Sequence, residues 1–169
     1  MNRSVVAFAI QFFLFGIAQV VLFKRLVLFD RAFCLVYVAF ILLLPIDTNR
    51  LILMLLAFLL GFGIDIFYDS LGLHAMSLVA VAYLRNYWLS AITPQGGYDT
   101  GTPPTLAANG LQWFLVYTLP LLFIHHVFLF FVEAGGFSNF WFTMMKIIAS
   151  LFFTLTVILL LQYLQRSTR

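Results

Sequence analysis

The chain has 169 residues, of which 64% are hydrophobic and 9% charged, with a net charge of +3. A soluble domain carries about a quarter charged residues and about half apolar ones, so this composition cannot coat a core with a water-facing shell. It excludes a soluble globular enzyme and, having no basic run, a nucleic-acid binder.

The elements follow in chain order. One arginine, Arg3, precedes an uncharged apolar run from Val5 to Phe23. That run is too long for the apolar part of a signal peptide and no small-residue cleavage site follows it, so it is expected to remain as a first span. A helix needs about 20 residues to cross the hydrocarbon. Five further segments approach that length: Ala32–Ile46, Leu51–Tyr68, Leu73–Leu89, Leu111–Val132 and Phe137–Tyr163. Ala32–Ile46 is the shortest, and either borrows residues from the Phe29 side or lies where protein rather than lipid surrounds it. Turn chemistry separates the segments at KRLVLFDR, DTNR, DSLG, TPQGGYDTGTPPT and EAGGFSN. Sustained alternation of apolar and polar residues is missing, which argues against a β-barrel. The expectation is an all-α integral membrane protein, one domain of six transmembrane helices.

Even parity places both termini, Asp47–Arg50 and the Thr93–Ala108 loop on one face. Lys24–Arg31, the Asp65–His74 turn and Glu133–Asn139 fall on the other. Arg3, Arg50, Arg85, Arg166 and Arg169 against Lys24, Arg25 and Arg31, with Lys146 inside a span, favour cytoplasmic termini.

The stretch GFGIDIFYDSLGLH, Gly61 to His74, holds two acids and a histidine within the apolar third span and its turn. Asp65 and Asp69 lie four apart, hence on one helix side. Asp69 precedes Ser-Leu-Gly and is interfacial; Asp65 lies about 6 Å deeper, where an ionisable group must face protein or water. Asp65, Asp69, His74, His125, His126, Glu133 and Lys146 all fall in one half of the membrane, whereas Arg85 belongs to the other. The expected structural role of Asp65 is an anchor between helices, with Lys146 as its candidate partner. Ala57-x-x-x-Gly61 forms a small-x-x-x-small seam that permits close helix approach.

Catalytic patterns are weak. Gly61-x-x-x-Asp65-x-x-x-Asp69 matches half of the motif of membrane CDP-alcohol phosphotransferases. The upstream half, with its extra acids and Ala-Arg, is missing, which leaves two metals short of oxygen ligands. Adjacent His125 and His126 point about 100° apart on a helix and do not chelate together. The single Cys34 excludes an intramolecular disulfide and a cysteine-based metal site. No catalytic residue, metal site or cofactor is expected.

Gly61, Asp65, Leu71, Gly72, Leu73, His74, Ala75 and the AYL of Ala82–Leu84 together resemble the MreD family of bacterial rod shape-determining membrane proteins. The resemblance covers the middle third of the chain; outside it only length and hydropathy agree, and the Thr93–Thr105 loop is longer than the family pattern. It implies a six-helix fold like the substrate-binding subunits of energy-coupling factor transporters, in the inner membrane with cytoplasmic termini. It implies a non-enzymatic scaffold that binds MreC within a complex holding RodA, its penicillin-binding transpeptidase and MreB. The partner-binding or structural polar cluster is then Asp65, Asp69, Gly72, His74 and Lys146, with Ala57 and Gly61 for helix packing. The alternative from another class is a solute-binding membrane subunit of a vitamin-type transporter.

Overall fold

The computed structural model describes residues 3–29, 31–99 and 101–167. Asp30, Arg169 and the side chains of Arg3 and Arg166, which entered the sequence reading, lie outside what is described. Helix α1 (Arg3–Ala18) runs on into a π-helical stretch, Gln19–Phe23. Strands β1 (Val27–Leu28) and β2 (Ala32–Phe33) pair antiparallel, and a short helix α2 (Val38–Leu43) follows. Four long helices complete the chain: α3 (Arg50–Tyr68), α4 (Leu73–Ala91), α5 (Leu106–Glu133) and α6 (Phe140–Ser167). Consecutive long helices pack against each other, α3 on α4, α4 on α5 and α5 on α6.

Among the described residues, four helices are long and apolar enough to cross a membrane: Val5–Phe23, Arg50–Tyr68, Leu106–Glu133 and Phe140–Gln165. Helix α4 is as long as α3 but carries His74, Ser77, Arg85, Asn86 and Ser90, which lower its apolarity. The protein is therefore mostly helical and built for a membrane.

The expected span Ala32–Ile46 is corrected. Its first two residues form β2, only Val38–Leu43 is helical, and none of the residues from Cys34 to Leu42 is more than 3% exposed. Protein surrounds this segment on all sides, so its apolarity matches the core rather than lipid. Non-helical backbone at this depth needs partners from elsewhere in the protein. Phe33 N–H donates to Ser150 Oγ at 2.9 Å and Leu35 N–H to Thr154 Oγ1 at 3.0 Å. Gln19, turned inward where α1 becomes π-helical, donates to the Cys34 carbonyl at 3.0 Å and accepts from Tyr37 N–H at 3.3 Å. The segment is thus a buried strap between α1, α5 and α6.

The helix ends follow the turn chemistry of the sequence. Asn49 caps α3 through Leu51 N–H at 2.9 Å, and Thr105 caps α5 through Ala108 N–H at 3.3 Å. Within α5, Gly110 leaves helical geometry (φ 78°, ψ 168°), so the straight run begins at Leu111. Pro120 has no N–H for the Val116 carbonyl one turn back, and the Trp88 indole N–H fills that place at 3.1 Å. The Thr93–Thr105 loop folds back on the bundle: Tyr98 Oη donates to the Leu89 carbonyl, and Gly101 N–H reaches Asp47 Oδ2.

Candidate functional site

Helix α3 ends at Asp69, whose backbone is left-handed (φ 54°), and Gly72 (φ 87°) starts α4. The turn between them folds α4 back on α3 so tightly that a Cβ on Gly61 would stand 2.5 Å from Ala75 Cα. Only glycine fits there. Ala57, one turn away, is fully buried, so the small-residue seam closes α3 against α4 of the same chain.

This approach places the Asp65 carboxylate over the first turn of α4. Asp65 Oδ1 accepts from His74 N–H at 3.0 Å and Oδ2 from Ala75 N–H at 2.9 Å. The first N–H groups of a helix have no partner inside it, and the helix dipole favours negative charge there. Gly72 has no side chain with which to cap them, so Asp65 does so from the neighbouring helix. Ser70 Oγ donates to Oδ1 at 2.6 Å, and His74 Nδ1 lies 2.9 Å from the same oxygen. Asp65 is 5% exposed and fully partnered.

The expected Asp65–Lys146 pair is corrected. Lys146 Nζ instead pairs with Glu133 Oε2 at 2.6 Å, and stands over the Phe33 and Phe130 rings at 4.7 and 4.4 Å. Glu133, 13 residues upstream across the α5–α6 turn, is the nearer acid, and helix ends already neutralise Asp65. Asp69 is exposed, and its carboxylate makes no ion pair or hydrogen bond among the described residues.

A second layer of polar groups lies behind His74. Its ring packs edge-on against Tyr68 and Tyr37, at 4.8 and 5.7 Å between centroids. Tyr37 Oη meets His125 Nε2 at 2.7 Å. His126 Nδ1 donates to the Leu122 carbonyl at 2.7 Å, and its Nε2 lies 3.4 Å from Thr154 Oγ1. The two adjacent histidines therefore serve different neighbours, and no group of three or more potential metal ligands forms among the described residues. Residues of α1, the strap and four long helices meet in this polar layer. Gln19, Tyr37, Ser150 and Thr154 were not singled out from sequence, although Gln19 is one of two amides, with Gln11, inside the first apolar run.

Arg85 forms a separate centre toward the other end, also fully buried. Its guanidinium reaches the Leu44 carbonyl and, at 3.4 Å, that of Pro45, while Nε donates to Tyr117 Oη at 2.7 Å. Tyr117 Oη in turn donates to the Leu42 carbonyl at 2.8 Å. Arg85 thus closes the C-terminal end of α2, where carbonyls lack partners and the dipole favours a cation.

On the outer side of the α3–α4 junction lies a groove of about 810 Å³. Asp65, Asp69 and Ser70 mark its polar end, and Phe62, Met76 and Val79 line its apolar length. Phe58 and Phe62 stack along the α3 wall, 5.7 Å between centroids. No family model matches the chain, and neither a curated protein nor a solved structure matches it.

Proposed function

We propose that this chain is a non-catalytic assembly subunit of the MreD type in the bacterial inner membrane. In this reading it binds MreC, a single-span protein with a periplasmic domain. Together they organise RodA, its penicillin-binding transpeptidase and MreB for wall elongation. Cytoplasmic termini complete the reading, with the five long helices and the buried strap together making six passes in the manner of the substrate-binding subunits of energy-coupling factor transporters.

One observation carries it. The residues of the resemblance, Gly61, Asp65, Gly72, His74 and Ala75, meet at a single helix junction, where Asp65 is consumed in capping α4. Both oxygens of this carboxylate are engaged within the chain, by backbone amides, a hydroxyl and an imidazole, which suits a structural cap better than a catalytic group. Such a junction fixes the shape of a surface, which is what a scaffold requires.

The test is co-expression with MreC and purification through a tag on this chain in mild detergent. MreC is expected to remain bound in stoichiometric amount. Loss of MreC from protein that stays folded and monodisperse overturns the reading. Topology is checked independently with cysteines at Ser4 and at Leu71, the latter fully exposed at the α3–α4 turn. An impermeant thiol reagent should label them from opposite sides of the membrane.

A further inference from the structure

Two unpaired charges of opposite sign lie at the hairpin end of the molecule, on opposite flanks of α3. Asp69 stands at the mouth of the α3–α4 groove with no charged partner. Arg25 follows the end of the first span, exposed, and its side chain has no hydrogen bond or ion pair among the described residues. Its neighbour Lys24 donates to the Phe67 carbonyl, which fixes that basic pair on the α1 flank. The distance between flanks is bridged by an exposed ridge of α3 bearing Leu55, Leu59 and Ile66, each about half exposed or more.

Of the four helices apolar enough to cross a membrane, the first is the least enclosed. Phe13, Leu14, Ile17 and Val21 face outward along it, each more than 60% exposed. Lys24 reaches the Phe67 carbonyl, so the first span and α3 end beside each other. The chain therefore contains, on one side of α3, an apolar helix ending in a free arginine. On the other side it contains an apolar groove ending in a free aspartate.

We propose that a second copy of this chain covers this face, in a two-fold dimer whose axis runs along the helices beside α3. The α1 of each copy lies in the groove of the other, Arg25 meets Asp69 across the interface, and the two α3 ridges meet between them. A two-fold axis requires each patch to complement its own image, and a groove and a helix flanking one ridge satisfy that condition. A lipid headgroup can meet each charge only separately, whereas a second copy pairs Arg25 with Asp69 twice over while filling the apolar groove. The inference concerns the chain alone and stands apart from any binding of MreC.

Ile17 lies six residues before Phe23 and Val79 six residues after Leu73, so both sit about 9 Å below the hairpin end. The test places cysteines at Ile17 and Val79 in the full-length protein, in membranes, with mild oxidation. A disulfide-linked dimer is expected for this pair and not for Ile17 paired with Phe152 on the exposed side of α6. Cys34 is buried and does not report. In nanodiscs of neutral lipid, Asp69→Arg should weaken self-association about two- to thirtyfold, as two symmetric surface ion pairs imply. Arg25→Asp in the same chain should restore it. A protein that stays monomeric at every density, or that cross-links equally through Phe152, overturns the dimer. So does a cysteine at Val79 whose labelling by a thiol reagent changes only when lipid or MreC is added. A charge reversal that the second reversal fails to rescue removes the Arg25–Asp69 pairing.

Discussion

Asp65 and Arg85 are the two buried acidic or basic side chains among the described residues apart from histidines, and each is met by the end of a helix rather than by a fixed opposite charge. Asp65 receives the amides of the α4 start, and Arg85 gives its protons to the carbonyls at the α2 end. They differ in completeness. Both oxygens of Asp65 are bonded, with Ser70 and His74 added, whereas Arg85 Nη1 has no partner. A carboxylate facing backbone N–H groups leaves little to solvate, while a guanidinium with five donors outnumbers the carbonyls that a short helix can offer. The lesson is that apolar helices can bury a carboxylate without a lysine or arginine, and a guanidinium without an acid, provided another helix ends nearby.

The comparison breaks most visibly at Asp65. Asp65→Ala strands two buried amides and the His74 ring, and is expected to destabilise the protein by about 3–5 kcal/mol. Denaturation in mild detergent with increasing sodium dodecyl sulfate measures this. Asp65→Asn, which keeps one carbonyl acceptor, should fall well short of that loss. Asp69→Gly, at an exposed left-handed position, should change stability by less than about 0.5 kcal/mol or raise it slightly. Equal losses at Asp65 and Asp69 would show that the cap is not what holds α3 to α4.

Arg85→Met comes next, at about 1.5–3 kcal/mol, because carbonyls tolerate a missing partner better than amides and Tyr117 still serves Leu42. The same titration ranks it against Asp65→Ala, and a larger loss at Arg85 reverses the comparison. Gly61→Ala sharpens the Asp65 side without touching a polar group. Its methyl group meets the Ala75 backbone, which should cost about 1–3 kcal/mol and draw α4 away from the carboxylate. Hydrogen exchange at the His74 and Ala75 amides reads that displacement directly.

The smallest effect is expected where an ordinary ion pair is present. Glu133 is 48% exposed, so the coupling between Lys146→Met and Glu133→Gln should lie within about 1 kcal/mol in a double-mutant cycle. The same cycle between Lys146 and Asp65 should return no coupling.

Apolar runs and turn residues made the long helices, their breaks and the special position of Asp65 legible in the sequence. The partner of Asp65 was not legible, because a backbone amide leaves no mark in an amino-acid sequence. A search for an opposite charge finds Lys146, while the true counterpart is the bare start of α4 after Gly72. The strap was misread for a related reason. Cys34 to Leu44 is as apolar as any lipid-facing helix, and hydropathy does not distinguish lipid from protein as the surrounding medium. Its signal lay elsewhere, in Gln19, Ser150 and Thr154, polar residues within long apolar spans whose targets are the strap's backbone.

That strap has a consequence for biosynthesis. A chain made from its N-terminus presents Phe33 and Leu35 to the membrane long before Ser150 and Thr154, more than 110 residues later, have been made. Until then, these two amides must keep water or insertion machinery as company, since hydrocarbon offers no acceptor. Helix α6 therefore acts as a latch that completes the strap only once it has itself been made. A ribosome stalled before it releases a protein whose central segment has nowhere stable to lie, and such a chain should be among the first that membrane quality-control proteases recognise.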